Sequence, residues 1–303
     1  MRRCSCLQAA LPPLTALALA LIVHGTPPTH AQARSAERTL YVSALDKSGM
    51  PVEGLDADAF MIREDGARRE ILRVSRADEP IDITVMIDTS MAATDEIAFV
   101  RSALPKFIAA LAPANRIALI GLAERPTILL PSTTDVKRLT SRAEGLFAQP
   151  GSGMTLLDAM VEVSDGLQKR DAAPRAAIVA IFTDGTEFTD RYSKDVVESL
   201  KKARVAVHLL TFGQFVEDIQ HANRERNFFL LQGPKGTGGQ HLTMLAPHAL
   251  GANLDRVARE LLSQYKVVYA RPDTTIPPKA VEISSRREGL TVRGTPDRLQ
   301  KGN

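Results

Sequence analysis

Cysteine is nearly absent from this chain, and its position matters more than its count. The two cysteines, Cys4 and Cys6, lie at the extreme N-terminus, ahead of an apolar run from Leu14 to Val23. Neither follows that run as a lipid-attachment cysteine would. Arg2 and Arg3 supply a basic start, and Ala31-Gln32-Ala33 offers a small-residue cleavage site before Arg34. This is the pattern of a secretory signal peptide over residues 1–33. The run is short for a transmembrane span, and an uncleaved N-terminal anchor is the alternative. A chain beginning at Arg34 has no thiol and no disulfide, so its hydrophobic core must hold it. Residues 34–303 are enough for one large domain, or one large and one small.

Charge imbalance is also missing. The formal net charge is +3, and removing Arg2 and Arg3 leaves 36 basic against 35 acidic residues. Nucleic-acid binding gains no support from that balance. No later apolar run is long enough to span a membrane. Internal repeats and low-complexity tracts are absent as well. The expected location is secreted or periplasmic.

What is present divides into regions. Residues 34–80 read as an N-terminal β segment. Thr39–Ala44 alternates like a strand, and Asp46-Lys47-Ser48-Gly49 reads as a turn. Two short strands, Phe60–Arg63 and Arg69–Val74, flank Glu64-Asp65-Gly66, a strong hairpin signal. Residues 81–265 alternate strands with helices. The strands are IDITVMID (81–88), RIALIGLA (116–123), AAIVAIFTD (176–184) and VAVHLLTFG (205–213). Their nearly continuous apolar, β-branched character suits a parallel sheet covered on both faces. Helical spacing links Ile97, Val100, Leu104 and Phe107, with Pro105 expected to kink that helix. Further helices are expected around Leu156–Leu167, Val196–Leu200 and Leu254–Leu262, the last with Asn253 as its N-cap. Residues 266–303 return to β and end in a tail. The predicted fold is therefore α/β, doubly wound around a mostly parallel sheet. The two flanking β segments are expected to pair into one small module.

In such sheets ligands bind beyond the carboxyl ends of the strands. The first core strand runs into Asp88, followed by Thr89 and Ser90. The third runs into Asp184, within FTDGTE, and GSGMTLLDAM places Thr155 at a helix start. Three loops thus offer two carboxylates and two hydroxyls. All are hard oxygen donors, suited to Mg²⁺, Mn²⁺ or Ca²⁺ and not to zinc or copper. Two carboxylates just balance a divalent charge, which leaves the ion able to accept a partner's carboxylate.

These motifs resemble the von Willebrand factor type A family, in its bacterial secreted branch. The family's metal-ion-dependent adhesion site reads D-x-S-x-S, then a Thr, then an Asp. Asp88 and Ser90 match its first two positions, Thr155 the third, and Asp184 the last. VEGLDADAFMIREDGARREI before the core, and TGGQHL and LLSQYKVVYARP after it, resemble the branch's flanks. The likeness spans residues 39–295. It implies a Rossmann-like domain that binds a protein partner through a divalent cation, Mg²⁺ or Mn²⁺, and performs no reaction. One position departs. Ala92 stands where the family usually has a second Ser ligand, and Met91 replaces a usual glycine. A methyl group cannot coordinate a cation, so a metal-free interaction scaffold with a decayed site is the alternative.

A metal-assisted hydrolase using Asp88 and Asp184 is a third possibility. The chain has no G-x-S-x-G, no H-E-x-x-H and no cysteine nucleophile beyond the leader. Taken singly, Thr155 reads as a helix cap and the two aspartates as strand ends. Asp158 reads as a local hydrogen-bonding residue, and Asp95 and Glu96 as acidic residues of a first helical turn. His208 is expected in the core, and His221, His241 and His248 in solvent. GPKGTGG (233–239) lacks the P-loop order, so 214–240 reads as a long loop. Within it, Phe228 and Phe229 are expected to fold onto the core.

Overall fold

The computed structural model describes residues 35–169, 173–213, 220–272 and 276–298. Residues 1–33, read from the sequence as a signal peptide, lie outside them. The chain enters as a long strand, β1 (Ser35–Leu45), followed by β2 (Phe60–Glu64), β3 (Ala67–Arg69) and β4 (Ile71–Arg76). The first core strand is β5 (Ile81–Asp88), and α1 (Ile97–Leu111) follows it. Next come β6 (Arg116–Leu122), β7 (Thr127–Thr133), α2 (Val136–Glu144) and α3 (Leu156–Lys169). Then β8 (Arg175–Phe182), α4 (Ser193–Ala203), β9 (Ala206–Phe212), α5 (His221–Thr237) and β10 (His241–Met244) complete the sheet. The chain closes with α6 (Leu250–Leu262), β11 (Tyr265–Pro272), β12 (Val281–Ser285) and β13 (Thr291–Pro296).

Six strands form the central sheet in the order β10-β9-β8-β5-β6-β7. Every pairing in it is parallel except β6 with β7. All eight residues of β5 and of β8 are buried, as expected for strands covered on both faces. Alternation divides their side chains between two cores. Ile83, Val85 and Ile87 join Ala177, Val179 and Ile181 under α1, α2 and α6, with Leu104, Phe107 and Leu254. Met86, Ile178, Ala180 and Phe182 face α3, α4 and α5, with Leu157, Val196 and Phe229. Each fully buried Val, Leu, Ile, Met or Phe side chain among them contributes about 1.5–3 kcal/mol. Pro105 lies inside α1, which runs on through it.

The flanking segments pair as expected. β1 lies between β11 and β13, antiparallel to both, in a four-stranded sheet ordered β13-β1-β11-β4. β12, β2 and β3 form a second, three-stranded sheet. Leu40, Val42, Phe60, Ile62, Tyr265 and Val267 make their shared core. The β2–β3 turn has positive φ at Asp65 (47°) and Gly66 (81°), the conformation that Asp-Gly hairpins favour. The segment read as one strand, Arg69–Val74, is divided at Glu70. Its first part pairs with β2 and its second with β11.

Three helical expectations need correction. Asn253 does not cap α6, which begins at Leu250 after a short 3-10 turn at Pro247–Ala249. Residues 221–237, read as loop, form the 17-residue α5, with Gly233-Pro234-Lys235-Gly236-Thr237 as its last turns. Phe229 is buried as expected, but Phe228 is exposed. Residues 214–219 lie outside the described residues. His208 is buried, whereas His241 is half-buried, its Nε2 3.0 Å from the Thr211 hydroxyl.

Arg175 ties the sheet to the flanking strands. It opens β8 and donates to the carbonyls of Ala77, Glu79 and Leu261 and to the side chain of Gln264. Its guanidinium carbon lies 5.4 Å from the centre of the Tyr41 ring. Burial lowers its pKa to about 10, still cationic at neutral pH.

Candidate functional site

Parallel pairing sends β5, β6, β8 and β9 out of the sheet at one end, so the loops that follow them gather there. Asp88 is the last residue of β5 and is 2 % exposed. Its Oδ1 accepts the Ser90 N–H at 2.9 Å. Its Oδ2 accepts both the N–H and the hydroxyl of Thr183, at 3.1 and 2.6 Å. Three hydrogen bonds fix the carboxylate, and each oxygen keeps capacity for a further interaction. Thr183 immediately precedes Asp184, so the first and third loops are joined directly.

Ser90 is 1 % exposed, and its hydroxyl has no hydrogen-bond partner. A buried hydroxyl left unsatisfied is costly and calls for an explanation. Thr155 directly precedes α3 and donates its hydroxyl to the Ala123 carbonyl at 3.0 Å. That bond uses the proton and leaves the oxygen's lone pairs available. Asp184 is exposed and faces the end of β9, where a Cβ on Gly213 would lie 3.3 Å from its Oδ2. Asp88, Ser90, Thr155 and Asp184 therefore all sit on loops at the carboxyl end of one sheet.

Backbone hydrogen bonds knit these loops together. Gln149 N–H donates to Thr89 O, Met91 N–H to Ser152 O, and Met154 N–H to Thr186 O. Phe188 N–H donates back to Met154 O at 2.8 Å. Ala92 is exposed, and a Cβ built on Gly185 would lie 2.5 Å from the Ala92 methyl and 3.9 Å from Ser90 Oγ. Only glycine at 185 leaves room for this approach. The methyl thus faces the same junction as the free hydroxyl.

The charge here is negative. Glu96 is pushed above its ordinary value by burial and by the neighbouring charges of Asp95, Asp184 and Asp88. Among the described residues, no group of three or more His, Cys, Asp or Glu is placed to hold a metal ion. Any cation here would rest on two carboxylates and on neutral oxygens. The donor set suits a hard cation, and the unsatisfied Ser90 hydroxyl fits a ligand's role.

Besides Thr183, a second supporting residue escaped the sequence. Glu187 is 2 % exposed and accepts the N–H groups of Leu156 and Leu157, at 3.2 and 3.1 Å. It caps the helix that Thr155 introduces. Burial pushes its pKa up to about 8, against the lowering effect of those two bonds. The buried face of α5 holds the same loop. Asn223 accepts the Glu187 N–H at 2.8 Å, Arg226 donates to the Gly185 carbonyl, and Glu225 accepts from Ser193. Asp158 bonds Arg191 at 2.8 Å.

Residues 83–187 match the family model of the von Willebrand factor type A domain. No curated protein matches the chain. Among solved structures, a von Willebrand factor type A protein from Catenulispora acidiphila aligns with a TM-score of 0.50 at 11 % identity, over 88 % of this chain and 74 % of that one. The conserved hypothetical protein BatB from Bacteroides thetaiotaomicron aligns at 0.46 and 16 % identity, over 60 % and 100 %. The vWF domain of the type V pili tip protein Mfa5 from Porphyromonas gingivalis aligns at 0.47 and 12 %, over 61 % and 96 %. The Catenulispora likeness, at 11 % identity, speaks of fold alone.

Proposed function

We propose that residues 83–187, which match the von Willebrand factor type A model, act as such a domain, and that the chain binds a protein partner through the carboxyl end of its sheet, around a divalent cation held by Asp88, Ser90, Thr155 and Asp184. One observation carries this reading: the Ser90 hydroxyl, buried and unpartnered beside Asp88. A hard cation bound there, Mg²⁺ or Mn²⁺, supplies an electrophilic centre for a partner's carboxylate. The protein's own groups keep that centre in place. Thr183 and the Ser90 N–H hold Asp88, and Glu187 holds the helix behind Thr155.

No reaction is proposed. The acidic loops carry no histidine, and the motifs of hydrolytic nucleophiles and zinc proteases are missing. Among the described residues no helix is long and apolar enough to cross a membrane. A secreted or periplasmic location is proposed from the N-terminal residues alone. A metal-free scaffold is the second reading, favoured by Ala92, whose methyl lies at the junction where the family's second Ser would offer oxygen.

The test is affinity capture from a periplasmic or secreted fraction, in parallel with Mg²⁺ and with chelator. A partner retained only with Mg²⁺ and lost with Asp184→Ala supports the cation reading. A partner retained equally in chelator supports the metal-free scaffold.

A further inference from the structure

Beside the proposed cation site, the loop from β8 to α4 walls a cleft of about 930 Å³ against the start of α5. Two aromatic rings stand out of its wall, Phe188 and Tyr192, each 59 % exposed. The backbone that carries Phe188 is anchored, its N–H on Met154 O and Thr186 O, two residues earlier, taking the Met154 N–H. Its ring lies directly over Gly153, where any side chain would displace it. Tyr192 rests edge-on against His221, with ring centres 5.2 Å apart. Large aromatic side chains have only two torsions to fix, so they lose little freedom on binding, which favours recognition.

The cleft's charge selects the ligand. Asp158, Asp190, Asp195 and the buried Glu187 line it, against one arginine, Arg191. Arg191 is bonded to Asp158 at 2.8 Å. Asp190 and Asp195 are exposed and have no ion-pair partner among the described residues. The nearby Lys194 and Arg224 do not line the cleft. Two carboxylates without an ion-pair partner share the cleft with two exposed aromatic rings, a combination that suits a planar cation able to stack on a ring while its N–H groups reach a carboxylate.

We infer that this cleft receives an arginine side chain of the protein partner, with lysine as a weaker substitute. The inference goes beyond the cation site, because it uses none of Asp88, Ser90, Thr155 or Asp184. A partner engaging both would present an acidic and a basic residue close together.

The test is a ¹⁵N NMR titration of the protein in EDTA with a capped Gly-Arg-Gly peptide. Matched Gly-Lys-Gly, Gly-citrulline-Gly and Gly-Glu-Gly peptides serve as comparisons. Expected are saturable shifts at residues 186–192 and His221, with a dissociation constant on the order of 1 mM that weakens as salt rises. The lysine peptide should bind several-fold more weakly, and the citrulline and glutamate peptides not at all. Phe188→Ala, Tyr192→Ala and the Asp190→Asn, Asp195→Asn pair should each weaken arginine binding about five- to tenfold. All four positions are exposed, so the variants should fold. Asp184→Ala should leave the titration unchanged, which separates this cleft from the cation site. Absence of shifts, equal shifts with citrulline, or binding indifferent to the cleft variants would each overturn the inference.

Discussion

Thr183 donates both its N–H and its hydroxyl to one oxygen of Asp88, bridging the ends of β8 and β5. This bridge keeps a buried carboxylate pointed at the junction of the loops. Hydrogen bonds to charged groups contribute about 1.5–3 kcal/mol each. Thr183→Val keeps the shape and the N–H bond but removes the hydroxyl. It should lower the unfolding free energy by about 2 kcal/mol, measured by urea denaturation followed by circular dichroism. A loss near zero would mean that the hydroxyl is dispensable to Asp88.

Ala92→Ser adds a hydroxyl at the junction faced by Ser90. It should strengthen Mg²⁺ or Mn²⁺ binding modestly, since it displaces an ordered water at a gain of up to about 2 kcal/mol. Asp184→Ala should weaken binding far more, because it removes half of the carboxylate charge. Calorimetric titration of the three proteins decides. If only Ala92→Ser binds, the natural site is metal-free. If Ala92→Ser fails as well, the cation proposal is wrong.

Arg175 satisfies four acceptors from two distant parts of the chain. Arg175→Met fills similar space with no donor and leaves the carbonyls of Ala77, Glu79 and Leu261 without that bond. The expected cost is about 3 kcal/mol or more, read from thermal and urea unfolding. Arg175→Lys should recover only part of it, because an ammonium cannot reproduce the planar fork.

Glu187 supplies a pH signature. Its carboxyl holds its proton to about pH 8 in the fold, against an ordinary value of 4.5. Between those values the folded protein binds more protons than the unfolded chain. This contribution is therefore fully present below about pH 4.5 and is lost as pH rises through 8. It amounts to about 5 kcal/mol over the window. Glu187→Gln removes the titration. The difference in stability between wild type and Glu187→Gln should shift in the variant's favour as pH climbs from 5 to 8. A constant difference would show that Glu187 is charged throughout.

The strands of the central sheet were legible because burial on both faces leaves an unbroken apolar run. The 81–88 segment matches β5 in full, and the other three agree within two residues. The antiparallel β7 was not legible. It is a half-exposed edge strand containing Pro131, where neither alternation nor an apolar run develops. α5 was hidden for a different reason. Its buried face includes Asn223, Glu225 and Arg226, turned inward to hold the 185–193 loop, and its last turns contain two glycines and a proline. A pattern search for an apolar stripe passes over such a helix. Asp88, Ser90, Thr155 and Asp184 could be named because strand ends and a helix start are marked locally. Glu187 and Thr183 could not, because their partners lie 30 residues or more away in the chain.

The placement of β1 has a consequence for how the protein is made. Its neighbours on both sides, β11 and β13, come from the last part of the chain. During synthesis this first strand must therefore wait, both edges bare, until nearly everything else has emerged. Its buried apolar residues Leu40, Val42 and Ala44 make that interval an aggregation hazard. Pairings so distant in sequence also form slowly. A chain cut short before β11 would carry the hazard permanently, and a holding chaperone would find its clearest target in residues 35–45.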